Sequence, residues 1–263
     1  YYNINILIIF RRKVMRKRKQ KQMSESLLLG AILATVGGFL DAHTYICRGK
    51  VFANAETGNI VLMGAKLAEG DFKDAFFYLI PITAFACGVF CAEGIKKLFK
   101  QNNYIHWRQI TVAAEIIALV FISFVEPTRM HNIFTNALVA FVCSLQVQSF
   151  RQISGVPLTT TMCTGNLRSG TEHLFNAVTT KNKTVLKTAF KYYSIIFFFV
   201  LGAAIGAVLS SAIGRYSTLI AAGGLLAAFL LMFVNKEAEK REEIFERAEE
   251  EREEAEIKAA EKL

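Results

Sequence analysis

Apolar residues along this chain come in long unbroken blocks, neither alternating as in a half-buried strand nor striped as on a surface helix. The first block, residues 27–47, carries one acid and one histidine in 21 positions. At about 1.5 Å per residue it is roughly as long as the ~30 Å hydrocarbon core of a bilayer, so it predicts a membrane-spanning helix. Further blocks at 75–92, 110–125, 133–147, 192–213 and 218–234 bring the expected spans to six, two of them a little short. Segments 51–68 and 153–178 are apolar only in part and are interrupted by Thr, Asn and Gly. The expected fold class is all-α: a polytopic helical membrane protein of about six full spans plus two interrupted half-helix segments.

The two interrupted segments are alike. The first passes through LDAHTY (Leu40 to Tyr45) and NAETGNIVLMG (Asn54 to Gly64), the second through LQVQSF (Leu145 to Phe150) and TMCTGNLRSG (Thr161 to Gly170). Superposing Thr57-Gly58-Asn59 on Thr164-Gly165-Asn166 sets an offset of 107, and a two-residue insertion in the second copy brings Asp41 opposite Gln146 and Tyr45 opposite Phe150. Helix, polar loop, TGN, short helix and two long helices follow in the same order in both. This predicts an internal duplication with repeat units at 23–132 and 133–234, flanked by a basic arm at 1–22 and a charged helix at 235–263. Each unit holds three full spans, an odd number, so the second must enter from the opposite face: an inverted repeat, the architecture of many secondary transporters.

Charge orients this picture. Hydrophobic residues make up 53% of the 263 and charged residues 20%, which excludes a disordered chain. The net charge of +9 is unevenly placed: residues 1–22 hold eight Lys/Arg and no acid, the tail from 235 is net −5, and the body between is net +6. Ahead of a soluble domain such an arm would suggest nucleic acid; ahead of an apolar helix it is a cytoplasmic anchor at the bilayer, and no nucleic-acid partner is expected. A cleaved signal is not expected, because the block is long and lacks a small-residue cleavage site. The arm has a second reading, as sequence upstream of a start at Met23, from which the net charge would be +1. Six spans with both termini inside put ten of the sixteen basic residues of the body on the cytoplasmic side, Lys96, Lys97 and Lys100 among them. Full crossing by both interrupted segments would divide the same residues eight to eight.

Helix breaks in lipid persist only where protein or a water-filled cavity receives the freed backbone groups. Gly58 and Gly165 would permit the breaks, and Thr57 and Thr164 would cap the short helices that follow. Two half-helix starts would then offer N–H groups and partial positive charge to the protein centre, where anionic or strongly dipolar solutes suit them. Asn54 and Asn59 join this substrate-binding set from the first copy, and Gln146, Thr160, Thr161 and Asn166 from the second. TGN has a second reading as a tight turn. Asp41 is the candidate proton- or ion-coupling residue, with His43, Arg48 or the half-helix dipoles as partners; an interfacial helix cap is its other reading.

Glu93 and Glu115 are expected near cytoplasmic helix ends, solvated or ion-paired beside Lys96 and Lys97. Gln146 and Gln148 should face the bundle interior. Gly202 and Gly206 allow close helix packing, within the chain or in a homo-oligomer. The five cysteines are expected to be packing residues, with no disulfide and no zinc. The tail carries i, i+4 pairs such as Glu237 with Arg241, which suit a solvated helix. No HExxH, GxSxG, Walker loop or GxGxxG occurs. Neither an enzymatic activity, a cofactor nor a metal is expected.

At LDAHTY, VFANAETGN, SLQVQSFRQISGVPLTTTMCTGN and LRSG the chain resembles the YoaK-like bacterial membrane proteins, domain of unknown function 1275. The likeness covers roughly 23–234: a GG-x-x-D-A helix, FAN-x-x-TGN, then a Gln-bearing helix leading to TT-x-x-TG. The matching positions are Gly37, Gly38, Asp41, Phe52, Asn54, Thr57, Gly58, Asn59, Gln146, Thr160, Thr161, Thr164 and Gly165. Many second copies of the family read Met-Gly before the Gln, where this chain has Ser144-Leu145, so close packing is less assured at that helix. The resemblance implies a multi-pass protein of the bacterial cytoplasmic membrane with no assigned activity. The function expected from the residues is a secondary transporter or channel for a small polar or anionic solute; a non-transporting sensor or assembly protein is the alternative.

Overall fold

The structure, a computed structural model, describes residues 26–99 and 107–233. The arm at 1–22, the tail at 235–263 and His106 lie outside the described residues. Helix α1 (Leu27–Cys47) opens on Ser26, whose Oγ accepts a hydrogen bond from Leu29 N at 3.1 Å. A loop leads to the short α2 (Glu56–Ala68), then α3 (Phe72–Phe99), α4 (Trp107–Ser123) and α5 (Arg129–Ser149). A two-stranded hairpin, β1 (Gln152–Ile153) with β2 (Val156–Pro157), precedes α6 (Cys163–Thr180) and α7 (Lys183–Ile213). A 3-10 turn (Gly214–Ser217) joins α7 to α8, over 218–233.

All six apolar blocks are helical and both interrupted segments end in a short helix, so the chain is nearly all-α. The hairpin departs from the all-α expectation. Ser154 and Gly155 both take positive φ, 54° and 73°, the pair of left-handed residues that a tight two-residue hairpin turn demands.

Among the described residues, four helical stretches are long and apolar enough to cross a membrane by length and composition: α1, α3, α5, and the 51-residue run Lys183–Phe233. That last run is two helices. His43 Nδ1 lies 3.1 Å from Ser210 Oγ at the end of α7 and 2.8 Å from Ser217 Oγ after the turn, and Gly224 of α8 then faces Val36 one level down α1. Gly214, at φ +57°, makes the reversal.

Contacts fix the directions of the other helices. Gly30, Gly38 and His43 of α1 meet Ile195, Phe199 and Ser210 in order, so α1 and α7 run parallel. Arg129 pairs with Asp74, Gly88 abuts Phe141 and Ser144, and Gln148 bonds Glu93, so α3 and α5 also run parallel. Arg108 Nε donates to Ser149 O at 3.0 Å while Phe121 stacks edge-on against Phe134, so α4 runs against α5 as α8 runs against α1. Arg48, at the end of α1, donates through Nη2 to Ile122 O at 2.9 Å and receives Asn136 Nδ2 on its carbonyl at 2.7 Å. The ends of α1 and α4 and the starts of α3 and α5 therefore share one end of the bundle. Segment 48–71 leaves and returns at that end; the second interrupted segment does so at the other, where Ile153 lies against Gly30 and Lys191 Nζ donates to Ser154 O at 2.9 Å.

Helix α1 is central, buried on most sides among Val112, Leu119, Val139, Leu225 and Met232. Helices α3 and α7 turn most of their apolar surface outward, with Phe90, Leu98, Phe197 and Val208 exposed. Apolar side chains on the outside of apolar helices are the mark of a protein solvated by lipid.

The close contacts are made by glycine. A Cβ on Gly38 would overlap Phe199 O, one on Gly202 would overlap Thr35 O, and one on Gly206 would lie 2.7 Å from Phe39 Cα. On α3, Gly88 does the same against Phe141 O and Ser144. The close packing left less assured by Ser144-Leu145 is kept at Ser144 through Gly88 of the opposing helix.

Candidate functional site

The two breaks meet. Thr57 at the start of α2 and Thr164 and Gly165 at the start of α6 line one cavity of about 780 Å³, level with the middle of α3 and α7. Asp41 stands on its wall, with Asn54, Glu56 and Thr161. The rest of the lining is largely apolar, with Tyr45 and Phe52 stacked at 5.0 Å between ring centres. Small residues on α7, Ala203 and Ala207, leave the space open.

Asp41 is 6% exposed, and its Oδ1 accepts the backbone N–H of Asn54 at 2.7 Å. Asn54 Nδ2 donates to Gly37 O at 3.2 Å, which pins the loop to α1. Of the partners foreseen for Asp41, the loop at the start of α2 is the one it takes. His43 turns away to the Ser210–Ser217 pair, and the Arg48 guanidinium, fully buried, goes to Ile122 O at the carbonyl end of α4 and to Asn132 Oδ1 at 3.5 Å. The titratable groups within electrostatic reach of Asp41 are Glu56 on α2, Cys143 on α5 and Cys163 on α6.

The two asparagines of the TGN tripeptides do identical work. Asn59 Nδ2 donates to Phe52 O at 2.6 Å while its Oδ1 accepts Phe52 N–H at 3.2 Å. Asn166 Nδ2 donates to Thr159 O at 2.6 Å while its Oδ1 accepts Thr159 N–H at 3.4 Å. Both asparagines and both bonded residues stand at the offset of 107 read from the sequence. The amides staple each loop to its short helix and do not line the cavity. Asn59→Ala and Asn166→Ala are each expected to lower stability by about 1–3 kcal/mol, since a buried carbonyl and N–H lose their partner together. Thermal unfolding in detergent measures this, and an unchanged midpoint in either variant would contradict the staple.

Other expected site residues divide. Gln146 is buried and donates to Thr160 Oγ1 at 3.3 Å, beside the cavity and not on its wall. Gly58 and Gly165 lie inside the first helical turns with ordinary negative φ, so the breaks fall before them, in 48–55 and 150–162. Gly58 instead makes room for the Phe52 ring, 3.0 Å from where its Cβ would stand. Thr57 and Thr164 do not cap: the caps are Ala55 and Met162, which make no side-chain bond. Gln148 is only half-buried and bonds Glu93, which lies at the surface with Lys96 at 3.5 Å.

Glu115 corrects the sequence reading most. It is 1% exposed in the core of α4, Cys143 Sγ lies 3.8 Å from its Oε1, and its Oε2 has no hydrogen-bond partner among the described residues. Tyr45, Phe85 and Phe199 of the wall were also not anticipated as site residues, and aromatic residues in apolar blocks give no signal that could have marked them. Glu56 had one: it sits directly before TGN.

Residues 29–232 match a family described as a protein of unknown function, DUF1275. No curated protein and no solved structure matches the chain.

Proposed function

This chain belongs to the DUF1275 family, whose description assigns no activity, and we propose that it is a secondary transporter or channel for a small polar solute, with its site at the paired TGN breaks. The observation that carries the reading is the convergence of two short helices, entered from opposite ends of the bundle, on one cavity that holds a buried acid. Re-entrant segments in lipid need such a cavity, and transporters use it to hold solute at mid-depth. We read the fold as six crossings in two inverted three-span units, in a bacterial cytoplasmic membrane with both termini inside. The reciprocal pairing of α1 with α7 and α5 with α3, and the matched asparagine staples, support that reading. No enzymatic step is assigned.

The cavity favours this over a sensor or assembly protein, whose breaks would pack against each other without space between them. Asp41 is the proposed coupling residue, because an acid at this depth is costly to keep unless it acts. In liposomes carrying a pH-sensitive dye, at least one solute of a panel of cations, zwitterions, anions and neutral polyols is expected to evoke proton flux. Asp41→Asn should abolish that flux without lowering the amount of folded protein. Folded wild type that moves no proton with any class would leave the non-transporting reading.

A further inference from the structure

Resting on that reading, we infer that the occupant of the cavity is a small organic cation with an apolar body. Both acids on the wall, Asp41 and Glu56, flank the first break, and no Lys, Arg or His stands among the described lining residues. Once a cation is bound and both carboxyls are ionised beside it, the wall carries two negative charges against roughly +0.5 from each half-helix start, which leaves about one negative unit. One monocation neutralises it, whereas an anion would double the imbalance. The anionic solute suggested by half-helix starts alone is thus disfavoured: α2 already has Glu56 in its own first turn and Asp41 on its loop.

The walls choose the kind of cation. Tyr45, Phe52, Phe85 and Phe199 present four aromatic rings, with Met162 beside them, and about 780 Å³ is far more than a bare metal ion needs. Aromatic faces hold quaternary and protonated amines through their quadrupoles. The Tyr45 ring is already engaged, stacked on Phe52 and with Lys50 Nζ 4.6 Å from its centre, so Phe85 and Phe199 are the wall rings left for the occupant. Besides Glu56 Oε1, two polar atoms in the wall wait for a partner: the Thr161 hydroxyl and the Asn54 carbonyl oxygen are buried without a hydrogen bond among the described residues, on residues 6% and 5% exposed. Both can accept from an N–H of a protonated amine.

Calorimetric titration of the purified full chain in detergent tests this with benzyltrimethylammonium, phenylacetate and benzyl alcohol, which share a benzyl body and differ in charge. The cation is expected to bind, and Asp41→Asn with Glu56→Gln should weaken it by about tenfold or more, with the elution profile and thermal midpoint of the variant checking its fold. Phe85→Leu, on a partly exposed ring, should weaken the cation severalfold and by a larger factor than it weakens benzyl alcohol. Absence of cation binding at millimolar concentration, equal or tighter binding of phenylacetate, or undiminished cation binding by the folded double variant would each overturn the inference. Cation binding without flux in liposomes upholds it and removes the transporter reading; phenylacetate flux without cation binding removes it and upholds transport.

Discussion

Gly202→Ala is expected to destabilise the whole bundle by about 3 kcal/mol, at the upper end of overpacking penalties. The added methyl would overlap Thr35 O, and Gly38 is locked against Phe199 O from the other side, so the obstacle is backbone and no side chain can rotate away. Helices α1 and α7 would have to separate, and with them the walls of the cavity. Gly223→Ala is the control: nothing lies within 4 Å of its Cβ position, it is exposed, and it is helical. There alanine should stabilise by up to about 1 kcal/mol through helix propensity. Thermal unfolding of the two variants side by side should give shifts of opposite sign, and a tolerated Gly202→Ala would mean that the helices are not in backbone contact.

Glu115→Leu should do the reverse of an ordinary core mutation: raise stability while lowering the proposed proton flux. The carboxyl is buried in α4 with no cation beside it among the described residues, and its oxygen Oε2 makes no hydrogen bond. Removing an unsatisfied buried polar group typically recovers about 1–3 kcal/mol, against the loss of one weak thiol contact from Cys143. A residue that costs stability in place is one that selection keeps for use. Solute-driven proton flux should therefore fall in Glu115→Leu while its unfolding midpoint rises; a lower midpoint would make the carboxyl structural.

How much of this was legible depended on the range of the interaction. The six apolar blocks became helices because block length and hydropathy are local. The hairpin at 152–157 was also local, signalled by Ser154-Gly155, but an apolar stretch continuing past it masked the turn. Glu115 was misplaced because its depth depends on where Cys143 and α5 pack, which no spacing within α4 records. Arg48 resembled a counter-ion for Asp41 seven residues away, yet its guanidinium satisfies a helix carbonyl end 74 positions on. The TGN tripeptides were rightly found as a pair. Their asparagines resemble ligand groups in any sequence, and only the geometry of the bonds to Phe52 and Thr159 separates a staple from a binding residue.

The parallel pairing of α1 with α7 sets a schedule for the ribosome. Gly38 and the Ala203 backbone that it approaches are 165 positions apart, a delay on the order of ten seconds or more at synthesis rates of about 5–20 residues per second. During that interval the His43 ring is without Ser210 and Ser217, its hydroxyl partner pair. A chain cut after residue 132 never acquires it. Helix α1, with Asp41, His43 and Thr44 buried, precedes the other described helices and must wait for α7 before its packing is complete, so insertion machinery that shelters early helices would bear on the yield of this protein as well as the stability of its finished fold.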